Sequence, residues 1–468
     1  MDVGRKAKWG MSANMKKNQY RQPFGCKFIA CLSLLVGFTA LVGAQTLQTL
    51  YSFSYTDGAN PNALTLGTDG NFYGTTYMFC DYGPLWGTVF KMTTSGTLTT
   101  LFSFINYSNG ASPNALTLGT DGNFYGTTDS GGNSDYGTVF KMTPNGTLTT
   151  LFSFDEVNNG GNFTISDGAN PNGLTLGTDG NFYGTTQQGG GTDGLYGTVF
   201  KVTTNGTLTT LCLFSGGSDA GFPQAALTLG TDGSFYGTTY FCGSYDYGTV
   251  FRVTTNGMLT SLVSFNYTNG SSPNAALILG MDGNFYGTTG SGGSYDYGTV
   301  FRVTTNGTLT PLVSFNYTNG ANPNAALTLG TDGNFYGTTG SGGSYDYGTV
   351  FKMTPTGTLT TLVSFNYTNG ASPNAALTLG PDGNFYGTTW YGGSNYYGTV
   401  FRLVLPTAPI LLNIQLNGSN AVLTWNDPKM QLQASPLLCG LYTNVPNASS
   451  PYTTPITGAA NFFRLQTQ

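Results

Sequence analysis

The chain has 468 residues, of which 8% are charged, 14% are aromatic and 70 are glycine. The aromatic load excludes a disordered chain, which lacks the apolar area to offset ordering entropy; glycine with so much Tyr, Phe, Thr and Asn points to short strands and tight turns. The net charge of −5 and the absence of His argue against a nucleic-acid partner, whose phosphates need clustered Lys and Arg, and remove Ser-His-Asp and Cys-His catalysis and His-bearing zinc and copper sites.

Residues 1–44 read as a secretory signal peptide. Lys16, Lys17, Arg21 and Lys27 precede an apolar run at 28–44, which ends in the small residues Val42-Gly43-Ala44, so cleavage is expected before Gln45. The alternative is an uncleaved anchor, but the run is short for a span and contains Gly, Ser and Thr. Cleavage removes seven of the 16 basic residues and one of the 21 acidic ones, leaving a net charge of −11. That charge suits a soluble exported protein with no membrane span. Four Cys remain, Cys80, Cys212, Cys242 and Cys439, with no CxxC spacing that would suggest zinc. Export permits disulfides. The sequence leaves their pairing open, with Cys212–Cys242 the pair to test.

After the leader comes TLQTLYSF at 46–53, and then a repeat with a period near 50. The GTVF tetrads begin at Gly87, Gly137, Gly197, Gly248, Gly298, Gly348 and Gly398. Each unit reads as four strands: an inner NAALTLG, then NFYGTT, then GTVFKMT, then TLTTLVSF. None has helical length or period. Asp-Gly and Asn-Gly supply the positive-φ residues of tight hairpins. The fold expected is all-β: a seven-bladed β-propeller of four-stranded antiparallel blades. The seventh GTVF is not followed by TLTTLVSF, whereas TLQTLYSF stands at the other end. The N-terminal strand is therefore expected to complete the last blade and close the ring. Residues 45–405 make this propeller, and 406–468 a small C-terminal all-β module, sandwich-like and with a marginal core of its own.

Strand order also sorts the loops. Short Asp-Gly and Asn-Gly hairpins share one plain face. The second-to-third loops (GSGGSYDY) and the blade-to-blade connections (NYTNGANP) share the other, which carries most of the length variation. There Tyr245, Tyr247, Tyr295, Tyr297, Tyr345, Tyr347, Trp390 and Tyr391, with Asp246, Asp296 and Asp346, form a candidate carbohydrate-binding set. Aromatic faces stack on sugar C–H groups while carboxylates bond hydroxyls. The structural alternative is that these Tyr residues pack between blades.

Other residues favour scaffold roles. Asp69, Asp121, Asp179, Asp232, Asp282, Asp332 and Asp382 all sit in the first hairpin, where Asp is a turn residue. Seven basic residues follow GTVF (Lys91, Lys141, Lys201, Arg252, Arg302, Lys352, Arg402), one per blade; rather than a cationic ring, they are expected to pair with a nearby Asp or with carbonyls. The longer connection 155–167 carries Asp155, Glu156 and Asp167; it offers weak grounds for Ca²⁺ or an acid/base pair, lacks EF-hand spacing, and reads first as a solvated insertion. No catalytic residue, resident metal or cofactor is assigned.

The unit, with FYGTT paired to YGTVF seven times, resembles the GloVer tandem repeat of exported bacterial choice-of-anchor proteins, within the kelch and galactose-oxidase-like propeller group. The resemblance covers residues 46–404 and implies a secreted or surface propeller without an established activity. The loops SYDYGTVF at Ser244, Ser294 and Ser344 resemble the Asp-box of sialidase-like propellers, a hairpin-capping element; the fourth copy carries Tyr396 in place of Asp. The function expected is a non-catalytic binding or display module, secreted or on the cell surface, acting on extracellular polysaccharide or a cell-surface protein. A polysaccharide-active enzyme and a structural matrix protein are the alternatives.

Overall fold

The computed structural model describes residues 45–467 apart from 78–85, 160–161, 165–166, 191–195, 218–219, 406–411, 427–429, 438–439 and 457–460. The proposed leader, Cys80 and Cys439 thus lie outside the described residues. The chain divides into a repeat unit and a C-terminal unit beginning near Pro409.

The repeat unit is all-β. Its first sheet runs in the order Thr65–Leu66, Phe72–Thr76, Thr88–Met92, Leu98–Ser103, all antiparallel. Six more sheets repeat this order, two of them with an additional short strand. In the seventh, Thr378–Leu379, Phe385–Thr389 and Thr399–Val404 are followed by Thr46–Ser52 as the outer strand, with Leu47 opposite Leu403 and Thr49 opposite Phe401. The N-terminal strand therefore pairs where the expected strand is missing from the end of the repeats.

Two features differ from the sequence expectation. The inner strand shrinks to a two-residue ladder; Asn62 before it keeps its backbone N–H on Thr75 O at 2.9 Å, while its side-chain N–H donates to the carbonyl of Pro113 in the next sheet, 2.8 Å away. The outer strand slips by one residue against its neighbour in all seven sheets, as between Val89 and Phe90. Such a bulge increases local twist.

The core is built between sheets. Phe72, Phe90 and Met92 are fully buried, and so are their equivalents. Gly74 makes room for this packing, since a Cβ there would lie 2.5 Å from the Phe90 ring. The Tyr of each FYGTT meets the Phe of the next, with centroids 4.1 Å apart for Tyr73–Phe124 and 4.2 Å for Tyr386–Phe72, so the contact also runs from the seventh sheet to the first. The inner-strand Thr hydroxyls add a second link: Thr65 donates to Leu116 O at 2.6 Å and Thr378 to Leu64 O at 2.5 Å.

The buried Tyr ring ends in a polar cluster at the plain face. In the first sheet Asp69 accepts from the Tyr73 hydroxyl (3.0 Å), Asn71 (2.9 Å) and Lys91 (2.7 Å). Burial opposes ionisation of this carboxyl, but the Lys91 ammonium, the Asn71 side-chain and backbone N–H groups and the Tyr73 hydroxyl outweigh it and hold Asp69 well below the usual range. Equivalent ion pairs form in five other sheets. The post-GTVF basic residues are thus mostly turn partners, as expected.

The described C-terminal unit has two three-stranded sheets, Leu412–Asn417 with Asn420–Trp425 and Tyr452–Pro455, and Thr443–Asn444 with Met430–Ser435 and Phe462–Thr467. Ala421, Leu423 and Trp425 from one sheet pack with Leu432 from the other. Among the described residues there is no α-helix, and no helix is long and apolar enough to cross a membrane.

Candidate functional site

Within each antiparallel sheet, the second-to-third loop and the exit to the next sheet lie at the same end, opposite the short hairpins. We call this end the loop face. Its commonest loop is GSGGSYDYG. Gly292, Gly293, Asp296 and Gly298 all have φ between 64° and 91°, a region that Gly enters freely and Asp tolerates better than most residues. Asp296 Oδ1 accepts the Gly292 N–H at 3.0 Å, and Asp346 accepts that of Gly342 at 3.1 Å. Each also accepts the phenol of a Tyr on the adjoining connection, Tyr267 or Tyr317; that bond, with the carboxylate charge, pushes those phenols up. Asp135 is held in the same way, 2.9 Å from the Gly131 N–H and 2.5 Å from the Tyr107 hydroxyl.

This geometry sorts the predicted set. Asp296 and Asp346 are loop caps whose bonds stay within the chain. Asp246 has the same left-handed backbone, φ 61°. Tyr247, Tyr297 and Tyr347 lean on Tyr267, Tyr317 and Tyr367, with ring centroids 5.1–5.2 Å apart. Tyr245, Tyr295 and Tyr345 instead project outward, about 60% exposed. Tyr391 is also exposed, and its ring meets Trp390 edge-on at 6.5 Å.

Trp390 was predicted for the site, but the other residues at its repeat position were not singled out from the sequence. It is the residue directly after FYGTT. The seven equivalents are Tyr77, Asp129, Gln187, Tyr240, Gly290, Gly340 and Trp390. The available signal was its variability inside copies that are otherwise nearly identical. The rings of Trp390 and Tyr77 lie parallel within 8°, centroids 6.2 Å apart. Both backbones are fixed by one residue: the Asn60 side chain donates to Trp390 O at 3.0 Å, and the Tyr77 N–H donates to Asn60 O at 3.0 Å. Burial, then the Asp129 charge, pushes the Tyr77 phenol up. Asp129 is itself pushed up, by burial and by the charge of Asp135. Its carbonyl is held by Asn170 at 2.9 Å.

A family model described as the Gloeobacter/Verrucomicrobia repeat matches residues 37–164, 160–289 and 228–432. The chain belongs to this repeat family. No curated protein matches it. Among solved structures, it is similar to the extracellular domain of a hybrid two-component system from B. thetaiotaomicron, with a TM-score of 0.51 and 11% identity over 81% of this chain and 44% of that one. The chain therefore spans less than half the length of that relative. It is also similar to a gluconolactonase from Xanthomonas campestris, with a TM-score of 0.41, 12% identity, and coverage of 78% of this chain and 91% of that one. At such identities the first likeness shows a propeller-like fold and no activity.

Other proposed features of this repeat protein resolve plainly. Cys242 is a buried free thiol, so the Cys212–Cys242 bridge is not formed. Cys212 lies on the outer strand of the third sheet, whereas Cys242 sits in a fourth-sheet loop with φ 67°. In the long connection, Asp155 bonds Asn133 and Ser153 while Asp167 bonds Thr210, so the two carboxylates face different partners. Among the described residues no group of three or more His, Cys, Asp or Glu is placed to hold a metal. Beside the N-terminal strand, Tyr51, Ser52, Asp57 and Asn395 line an open cavity of about 410 Å³ on the loop face.

Proposed function

We propose that this chain is an exported or cell-surface protein whose seven sheets are the blades of a propeller closed by the N-terminal strand, and that its loop face binds extracellular glycan without a catalytic step. The observation that carries this reading is the concentration of aromatic side chains on loops whose backbones are pinned. Tyr245, Tyr295 and Tyr345 stand about 60% exposed on successive sheets, and Trp390 lies beside Tyr77. Exposed rings on a rigid frame lose little entropy when a sugar face covers them. One ring per blade also allows several weak contacts to act together on a polymer. The contacts that recur from the seventh sheet to the first support ring closure.

Binding fits better than hydrolysis. Glycoside hydrolysis generally needs two carboxyl groups facing one bond. Asp129 has a neighbouring carboxylate in Asp135, but that group is taken up by the Gly131 N–H and the Tyr107 hydroxyl.

The test is a glycan and polysaccharide array probed with residues 45–468, with and without calcium. Binding retained by the wild type and weakened in folded Tyr295→Ala, Tyr345→Ala or Trp390→Ala variants is the expected result. Absence of binding across the panel would leave a structural or protein-binding role in its place.

A further inference from the structure

Seven copies of one unit place seven equivalent residues directly after FYGTT, and the scaffold treats them all alike. Gly290 and Gly340 fill this position with no side chain, in sheets whose strands and turns match the others. Folding therefore does not require a side chain there. Trp390, Tyr77, Asp129, Gln187 and Tyr240 are large or polar at the same place, and they follow one another on the seventh, first, second, third and fourth sheets. In a repeat array, positions copied faithfully serve the scaffold. A run of adjacent departures at one geometric position calls for another cause.

We propose that this run of the rim, from Trp390 through Tyr77 to Asp129, is the primary subsite of the loop face and takes a neutral sugar unit of a glycan. The proposal rests on the glycan reading above and assigns that reading to particular residues.

Three observations support it. The Trp390 and Tyr77 rings lie parallel within 8° at a centroid separation of 6.2 Å, side by side on neighbouring sheets. Both backbones are tied to Asn60, so the separation of the two positions is fixed before a ligand arrives. That preorganisation lowers the entropy lost on binding. The two remaining positions, on the fifth and sixth sheets, are bare: a Cβ at Gly290 or Gly340 would lie 2.9 or 2.8 Å from the Oδ1 of Asn324 or Asn374, so neither position accepts a side chain without displacing an amide. Five adjacent positions thus carry side chains and two do not, which favours a ligand seated off the repeat axis over one gripped evenly by all copies.

The chemistry selects the ligand class. Two aromatic faces suit the C–H face of a pyranose. The Asp129 carboxylate at the same position can accept from a sugar hydroxyl. Gln187 adds an amide, held 3.3 Å from Asn172 Oδ1. No Lys or Arg occupies the seven positions. With a net charge of −11 after leader removal, uronate, sialate and phosphate are disfavoured.

The experiment is titration of residues 45–468 with soluble xylan, galactomannan, mixed-linkage β-glucan and polygalacturonate. Trp390→Gly and Tyr77→Gly import the residue that Gly290 and Gly340 already carry, and each is checked for an unchanged thermal transition. The expected result is binding to a neutral polysaccharide that falls about tenfold or more in both variants and falls less in Tyr295→Ala and Tyr345→Ala. Binding that survives both Gly variants but is lost in Tyr295→Ala or Tyr345→Ala overturns this subsite and leaves the glycan reading standing. Binding to polygalacturonate alone overturns the neutral-sugar assignment. No binding by the wild type removes the glycan reading itself, and this inference with it.

Discussion

Phe53→Ala tests the proposed closure by the N-terminal strand. Phe53 follows the N-terminal strand, is fully buried and packs edge-on against Phe90 of the first sheet at 5.3 Å. Its N–H donates to Gly398 O at 3.0 Å. Phe104 is its counterpart after the outer strand of the first sheet. It too is fully buried, packs against Phe140 at 5.7 Å and donates to Gly87 O at 2.9 Å. A Phe-to-Ala change in such a core costs about 3–5 kcal/mol, so the two variants should lose similar equilibrium stability. They differ in covalent context. The strand ending in Ser103 is joined to its partner by a hairpin, whereas Gln48 meets Arg402 across 354 residues of sequence. An N-terminal strand that loses its anchor can detach alone. Amide exchange in Thr399–Val404, on bonds to Thr46–Ser52, should therefore accelerate roughly 10²–10⁴-fold in Phe53→Ala, from about 1.4 kcal/mol per decade. In Phe104→Ala the same amides should follow global unfolding only. Exchange there that changes less than about tenfold in Phe53→Ala, or equally in both variants, would refute the latch.

Two further predictions concern the scaffold. Gly337→Ala places a methyl 2.5 Å from Phe351 Cζ and 2.9 Å from Leu327 Cδ2; overpacking of this kind costs about 1–3 kcal/mol. Gly333→Ala has open space but φ 74°, so its cost is backbone strain of about 1–2 kcal/mol. Phe351→Leu should recover stability in the first variant and not in the second, as read from urea midpoints. The second prediction concerns acid. The seven hairpin carboxyls are all held below their ordinary range, Asp332 to about 2. For Asp332, burial opposes ionisation and the bonds from Lys352, Asn334 and Tyr336 outweigh it. Because the folded values lie below the unfolded one, the unfolded chain takes up protons first as the pH falls. The stabilisation is complete above about pH 4 and declines as the pH drops through 2. Asp129, pushed the other way, contributes with opposite sign, but as one carboxyl against seven. Urea midpoints that stay flat from pH 5 to pH 2 would contradict the hairpin network.

Much of the fold was legible because the repeat states its own grammar. The period, the four strand runs, the hairpin Asp residues and the missing outer strand could all be read by laying one copy over the next. The pairing of Lys91 with Asp69 followed from one basic residue and one turn carboxylate per unit. What escaped were features that depend on contacts between copies. Asn62 reaching to Pro113 of the next sheet is a bond absent from any single unit. The sharing of Asp296 between Gly292 and Tyr267 likewise joins a loop to the connection that precedes its sheet. Cys212 and Cys242 are near in sequence, but belong to an outer strand and to a loop of the following sheet.

The candidate site was harder to read for a related reason. Repetition drew attention to SYDY, because it recurs, yet recurrence is what a scaffold element shows. The structure gives the Asp of that motif a capping bond and the second Tyr a ring partner, leaving one ring per loop exposed. The position after FYGTT carries the opposite signal, since the five residues before it are constant and it runs through Tyr, Asp, Gln, Gly and Trp. A propeller assembled from near-identical sheets can acquire a one-sided site only where its copies diverge. For a chain of this kind, residues that break the repeat at a shared geometric position are therefore better guides to ligand chemistry than residues that keep it.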